Sequence, residues 1–314
     1  MDILLQVVLL VVGFVMLMKG ADWFVDGASK LADKFGIPRI VIGLTIVAFG
    51  TSAPEAAVSI SAALQGSVDL AVSNVLGSNI MNVFLILGIA SIIYPLAVKN
   101  TCMKIDIPFT IGVSVLMLVC GQIGSQISRV DGLIFWALLA IYIVYMIVLT
   151  KKSPSEAEEV EGADEDDKIW KLLLLILGGG ACIVIGSDVT VDAATELAKF
   201  FGMSERLIGL TIVAFGTSLP ELVTSCVAAS KKETDIAVGN IVGSNLFNIL
   251  FVLGSTAVIH PIAYISDYLF DNVVAIIAVV LLFVFALNKE KKLKRWGGIV
   301  FLVVYAVYFV NLLI

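Results

Sequence analysis

The chain reads as an all-α integral membrane protein, with ten transmembrane helices built as two inverted five-helix repeats. Three observations predict this. Residues are 60% hydrophobic and 15% charged, with a mean hydropathy of +1.05, which is too apolar for a water-soluble domain. The sequence repeats itself at an offset of 166 residues, as Glu55 and Glu221 exemplify. Each copy holds an odd number of apolar runs, so the second enters the bilayer from the side opposite to the first.

The first run, near 3–24, starts with neither a basic stretch nor a small-residue cleavage site and is read as a span, not a removable leader. A break holding Lys30, Lys34 and Arg39 separates it from the second, near 37–64, which carries Glu55. The third, near 68–95, ends at Pro95. Lys99 and Lys104 lead into the fourth, near 106–124, and Arg129 into the fifth, near 130–150. Residues 151–168 then link a first repeat, 1–150, to a second, 169–314. The acidic part of that linker, EAEEVEGADEDD (Glu156–Asp167), cannot build a packed core and lacks the D-x-D-x-D-G spacing and closing Glu of an EF-hand, so it is expected to be a solvated loop. The sixth span, near 169–188, matches the first, and the seventh, near 203–229, carries Glu221. The eighth, near 235–259, ends beside His260 and Pro261; the ninth lies near 268–288 and the tenth near 297–313.

The repeat is long and gap-free at its centre. GLTIVAFGTSAPE (Gly43–Glu55) and GLTIVAFGTSLPE (Gly209–Glu221) differ at one position, and AVSNVLGSNIMNVFLILG (Ala71–Gly88) aligns with AVGNIVGSNLFNILFVLG (Ala237–Gly254). Gly20 and Asp22 match Gly186 and Asp188, and Tyr142 matches Tyr308. Basic residues test the inversion independently. With the N-terminus outside, the inner loops hold 16 of the 20 Lys and Arg and the outer loops 3, leaving Lys19 unassigned. That asymmetry agrees with the positive-inside rule.

Each central motif buries an acid in an apolar run, at roughly 2.5–3.5 kcal/mol on the insertion scale, so the matched pair Glu55 and Glu221 reads as a functional site. Pro54 and Pro220 have no N–H for the carbonyls of Gly50 and Gly216, so each helix is expected to kink and free carbonyls around 48–50 and 214–216. At helical spacing, Thr51 and Ser52 share a face with Glu55, and Thr217 and Ser218 with Glu221. The following span adds a polar stripe, Asn74, Ser78 and Asn82, repeated as Asn240, Ser244 and Asn248, with Gly77 and Gly243 allowing close helix approach beside it. These donors are all oxygens, a set suited to hard cations such as Ca²⁺ and Na⁺, whereas Zn²⁺ or Cu²⁺ call for imidazoles and thiolates.

Other polar residues read as less central. Asp22, Asp26, Asp188 and Asp192 sit toward the ends of the first span of each repeat, as interfacial anchors or cavity-mouth charges. His260, the single histidine, sits at a helix end, and Cys102, Cys120, Cys182 and Cys226 lack ligand spacing and read as packing or lipid-facing residues. An intramembrane hydrolase would need a Ser/His pair at depth or paired membrane aspartates, so the chain is not expected to be an enzyme. A cation channel could use the same oxygens, but channels usually assemble a ring about a symmetry axis.

GTSAPE and GTSLPE, each followed by GSN-x-x-N, resemble the paired α-repeats of sodium/calcium exchangers of prokaryotic type, in the calcium/cation antiporter superfamily, and the resemblance spans the whole chain. It implies that Glu55 and Glu221 are the central Ca²⁺ and Na⁺ ligands. Thr51, Ser52, Ser78, Thr217, Ser218 and Ser244 would add hydroxyls, the carbonyls of Ala48 and Ala214 would complete the sodium positions, and Asn82 and Asn248 would close the site. Asparagine at 248, where many relatives carry Asp, resembles the potassium-independent members. Val75, Leu76, Ile241 and Val242 stand where the H⁺/Ca²⁺ branch places a glutamate, and the linker is too short for the regulatory calcium-binding domains of animal exchangers. The implied activity is electrogenic, K⁺-independent Na⁺/Ca²⁺ antiport across the plasma (inner) membrane, with the N-terminus outside, the acidic linker cytoplasmic and the first span of each repeat sliding on a fixed core. A K⁺-dependent exchanger and an exchanger of another divalent cation are the alternatives. The lipid bilayer and the two ions are the expected partners, with no cofactor, nucleic acid or obligate protein partner.

Overall fold

Among aliphatic runs, only the residues that end a helix or let two helices touch carry much positional information, and both kinds are spaced by the repeat. The computed structural model describes residues 3–65, 68–152, 168–202, 214–264 and 267–313. The acidic stretch 153–167 and residues 203–213 of the seventh candidate span lie outside the described residues.

Helix α1 (Ile3–Phe35) and the later α7 (Ile169–Phe200) run for 33 and 32 residues, roughly 50 Å each at 1.5 Å per residue and longer than a ~30 Å hydrocarbon core. The sequence reading stops both about three turns early, at the acids and lysines of their final turns. Charge does not end a helix that can carry it to the bilayer surface. Gly36 and Gly202, at matching positions, do, with φ of +61° and +81°. After α1 the Gly36 N–H bonds Asp33 O (3.2 Å) and the Ile37 N–H reaches back to Ala32 O (2.8 Å), the paired bonds of a glycine C-cap.

Helices α2 (Arg39–Thr51) and α3 (Ala53–Leu64) form one span bent by 49° at Ser52, where Pro54 interrupts the hydrogen-bond ladder. Then come α4 (Ala71–Ile93), α5 (Cys102–Ser125), α6 (Arg129–Thr150) and α7. In the second repeat α8 (Ala214–Thr217) and α9 (Leu219–Ser230) break at Ser218, as α2 and α3 do at Ser52. The chain closes with α10 (Thr234–Ile259), α11 (Tyr268–Ala286) and α12 (Arg295–Leu312). Among the described residues, eight helices are long and apolar enough to cross a membrane alone, and α2 with α3 makes a ninth, bent span. Helices α4 and α10 are the most enclosed. They are buried around nearly the whole circumference, polar stripe included, as helices walled by other helices are.

Contacts between the halves come in pairs that exchange when 166 is added to one partner and subtracted from the other. A Cβ on Gly20 would stand 2.8 Å from Gly179 O, and one on Gly13 2.9 Å from Gly186 O, so α1 and α7 press backbone to backbone at two matching places. The α4–α12 contact, where a Cβ on Gly298 would meet Gly88 O at 2.6 Å, has its counterpart in α10–α6, where one on Gly132 would meet Gly254 O at 2.7 Å. Short antiparallel strand pairs join the loops in the same way: β1 (Leu96–Ala97) pairs with β4 (Lys292–Leu293), and β2 (Gln126–Ile127) with β3 (Ile262–Ala263). Helices α1 and α7 pack on each other as a two-helix arm whose outer side, including Val11, Leu174 and Leu177, is exposed apolar surface suited to lipid. The core they flank is built around α4 and α10, where the site lies.

Candidate cation-binding site

The break in each bent span places an acid at a helix start. Ser52 leaves helical geometry (φ −83°, ψ 6°), and Glu55 falls in the first turn of α3; Ser218 (φ −92°, ψ 4°) and Glu221 do the same for α9. A carboxylate there faces unpaired backbone N–H groups and the positive end of the helix dipole, which lowers the cost of its burial. That cost is otherwise high, because Glu55 is 1% exposed and Glu221 0%.

The backbone carbonyls differ from expectation. Ala48 O is not stripped of its donor: it accepts the Ser52 N–H (3.0 Å), with the Thr51 hydroxyl at 3.3 Å, because the helix runs on to Ser52 before it bends. Gly216 O, which Pro220 does deprive, is taken by the Ser187 hydroxyl of α7 at 2.9 Å. The matching position in α1 is Ala21, which has no hydroxyl to offer. Ala214 opens α8, and just beyond it Ser218 N–H bonds Phe215 O at 3.2 Å.

The hydroxyls differ too, in a way that decides the architecture. Helical spacing assigns Ser52 to Glu55, yet its hydroxyl donates to Glu221 Oε1 at 2.8 Å, and the Ser218 hydroxyl donates to Glu55 Oε1 at 3.3 Å. Each carboxylate is held by the other repeat. Thr51 donates to Asn240 Oδ1 (2.9 Å) and Thr217 to Asn74 Oδ1 (3.5 Å), again across the halves. Asn74 and Asn240 in turn donate to Ser59 and Ser225, both at 3.0 Å, so these two asparagines brace threonines. Ser78 joins through Ser218 (3.3 Å) and Ser244 through Glu221 (3.5 Å).

Asn82 and Asn248 stand on α4 and α10, each at the first residue of a π-helical turn, Asn82–Leu87 and Asn248–Leu253, and these turns pack against α9 and α3, the helices that carry Glu221 and Glu55. Such turns swing a side chain out of helical register and recur at functional sites. Four oxygens in this neighbourhood are buried without a hydrogen-bond donor: Glu55 Oε2, Glu221 Oε2, Asn82 Oδ1 and Asn248 Oδ1. Buried acceptors left unmet are costly, and a hard cation satisfies them. Among the described residues no three His, Cys, Asp or Glu side chains converge, so a cation held here would meet two carboxylates and otherwise neutral oxygens.

Sequence reasoning missed the bonds that Asn79 and Asn245 accept from Asn248 and Asn82, although both stand inside the GSN motif. It also missed Asp106, buried in α5 away from this shell, whose Oδ1 accepts the Tyr142 hydroxyl at 3.2 Å. Asp22 and Asp26 are half-exposed and pair with Lys231, at 2.6 Å from each. Burial disfavours the Lys231 ammonium, but the two carboxylates outweigh it and hold its pKa above the usual lysine range. His260 is exposed at the end of α10, and Cys102 and Cys120 are buried packing residues.

With this geometry in place, sequence and structure comparisons bear on its use. The family profile described as "Sodium/calcium exchanger protein" matches residues 5–150 and 171–314, either side of the acidic linker. "Inner membrane protein YrbG" of Escherichia coli (strain K12) is 39% identical over 287 residues, covering 87% of each chain. "Sodium/calcium exchanger MaX1" of Methanosarcina acetivorans is 32% identical with 97% of each chain covered. A solved structure of the sodium-calcium exchanger NCX_Mj, soaked with zero Na⁺ and Ca²⁺, is similar at a TM-score of 0.87 and 31% identity, over 99% of each chain.

Proposed function

The chain belongs to the sodium/calcium exchanger family, and we propose that it is a secondary active antiporter in which Na⁺ moving down its gradient drives Ca²⁺ out of the cytoplasm. The observation that carries this reading is the crossed pair of hydrogen bonds, Ser52 to Glu221 and Ser218 to Glu55, which draws both acids into one buried shell with an unmet oxygen on each. Two glutamates neutralise one Ca²⁺. Hydroxyl oxygens of Thr51, Ser52, Ser78, Thr217, Ser218 and Ser244 and the amide oxygens of Asn82 and Asn248 supply the neutral ligands that a 6–8-coordinate ion needs. Adding Na⁺ to a Ca²⁺-loaded site strands positive charge in a low-dielectric interior, so the two ions exclude each other; the exchange is electrogenic when more than two Na⁺ move for each Ca²⁺. The Thr51 hydroxyl has one hydrogen and its shorter bond goes to Asn240 Oδ1 (2.9 Å against 3.3 Å to Ala48 O), so a lone pair of the Ala48 carbonyl is open to a sodium ion, and the carbonyl of Ala214 serves on the other side.

Repeats 1–150 and 169–314 are the two working halves, joined by the linker 151–168. The protein sits in the plasma (inner) membrane, with the N-terminus outside and the linker cytoplasmic. One end of the bundle supports this orientation, because it gathers Arg39 between Asp33 (2.9 Å) and Glu233 (2.7 Å), Lys99 beside Asp235 (3.4 Å), and Lys231 on α1. The α1–α7 arm shifts against the core to open the site to either face. Lys231 ties that arm down at the cytoplasmic end, whereas the matching position at the other end is Gln65. Lys231→Gln is therefore expected to change the ratio of Ca²⁺ KM values measured at the two membrane faces by about two- to fivefold, the scale of an exposed ion-pair network. An unchanged ratio refutes the tie.

The direct test is Ca²⁺ uptake into proteoliposomes loaded with Na⁺. Uptake against the Ca²⁺ gradient, abolished when Na⁺ is equal on both sides, is the expected result; flow only down the Ca²⁺ gradient would indicate a channel. The rate is expected to be unchanged when choline replaces K⁺, and to respond to an imposed membrane potential. Asn248→Asp adds a third negative charge to the shell and is expected to shift the Na⁺ dependence by about tenfold, the equivalent of 1.4 kcal/mol. A strict K⁺ requirement in the unmodified protein would overturn the K⁺-independent reading.

A further inference from the structure

A carboxamide has two ends of nearly equal size, an oxygen that attracts a cation and an NH₂ group that repels it. Rotating the terminal torsion of Asn82 or Asn248 by half a turn exchanges them at little steric cost. Their use as ligands therefore requires something to fix which end faces inward. Asn248 Nδ2 donates to Asn79 Oδ1 at 3.1 Å, and Asn82 Nδ2 donates to Asn245 Oδ1 at 3.0 Å. The outer asparagines are themselves held one way round: Asn79 Nδ2 donates to the main-chain carbonyl of Asn245, and Asn245 Nδ2 to that of Asn79, both at 3.3 Å.

The order of these bonds runs in one direction. A main-chain carbonyl can only accept, so it selects the NH₂ end of each outer asparagine. That turns the outer Oδ1 toward the inner asparagine, which can meet it only with its own NH₂. The inner Oδ1 is then left buried and unbonded, as observed for both Asn82 and Asn248. All four asparagines are at most 3% exposed, so bulk water does not compete for these ends. The chain of polarity crosses between repeats each time, from α4 to α10 and back.

We propose that Asn79 and Asn245 are positioning residues that set the amide polarity of Asn248 and Asn82, so that both turn carbonyl oxygens to the transported cation. The proposal rests on the reading of Asn82 and Asn248 as ligands. The plainer alternative is that Asn79 and Asn245 only join α4 to α10.

A double-mutant cycle separates the two roles. The KM for Ca²⁺ in proteoliposome exchange is measured for the unmodified protein, Asn79→Ala, Asn248→Ala and the double variant, alongside turnover at saturating Ca²⁺ and thermal melting. Asn79→Ala is expected to raise KM about tenfold in the unmodified background, with turnover largely kept, and to raise it no further once Asn248 is alanine. Equal factors in both backgrounds would overturn the positioning role while leaving Asn248 a ligand. No effect of Asn248→Ala on KM would overturn the ligand reading, and the proposal with it. If Asn79→Ala does not fold, the matching cycle of Asn245→Ala with Asn82→Ala gives the same decision for the symmetry-related pair.

Discussion

Glu55→Gln is expected to abolish Na⁺/Ca²⁺ exchange while leaving a folded protein, and Glu221→Gln to do the same. Glutamine is nearly isosteric, and its amide oxygen can still accept the hydroxyl that now reaches each carboxylate, Ser218 for Glu55 and Ser52 for Glu221. Burying a neutral amide in place of an acid also relieves the desolvation cost of a side chain that is almost fully enclosed. The fold therefore loses little. The ion loses much, because one remaining carboxylate leaves Ca²⁺ with an uncompensated charge inside the protein. At an effective dielectric of 20, a unit charge pair 4 Å apart is worth about 4 kcal/mol, so a loss of roughly a thousandfold in kcat/KM is the scale to expect. Na⁺-driven radiolabelled Ca²⁺ uptake measures it, with size-exclusion profile and melting temperature as the folding control. Exchange retained by either folded variant would remove that glutamate from the ligand set.

Gly243→Val is expected to reduce transport by more than tenfold for a different reason. A Cβ at Gly243 would lie 2.6 Å from the Leu44 carbonyl oxygen and 2.7 Å from Ala48 Cβ, both on α2 just before its break. One turn earlier, Gly239 makes the same close approach, its Cβ position 3.0 Å from Gly43 Cα. Contacts with backbone cannot be relieved by a side chain changing rotamer, so α10 and α2 must separate. Overpacking typically costs about 1–3 kcal/mol. Here the displaced segment also carries Thr51 and Ser52 into the site, so geometry is lost along with stability. A lowered melting temperature together with collapsed uptake is the expected pair of results. Gly112→Ala is the control, because Gly112 is exposed on α5 and a Cβ there meets nothing within 4 Å among the described residues. Normal uptake by Gly243→Val would mean that the α2–α10 approach does not position the site.

The misread helix lengths show where a one-dimensional reading goes astray. Asp22, Asp26 and the lysines of α1 look like the edge of a membrane span, and for the hydrocarbon they are. The helix nonetheless continues to Gly36, because its polar turns find Lys231 at the bundle's end, 205 residues away in sequence from Asp26. Similarly, loss of the Pro220 N–H correctly marks Gly216 O as an unmet acceptor, but not that Ser187 on α7 will answer it.

Composition, the repeat and its odd span count suffice for the membrane class, the opposed halves, the kinks at Pro54 and Pro220 and the paired acids, since each depends on residue type or on spacing along one helix. Which hydroxyl holds which acid does not. Ser52 and Glu221 are 169 residues apart and Ser218 and Glu55 are 163 apart, and spacing along the helix assigns each serine to the wrong carboxylate. The tertiary structure decided that exchange, and with it the polarity of four asparagines. A hydrogen bond selects donor and acceptor ends by what faces it across a helix crossing, and only the packing of one repeat into the other sets what faces what.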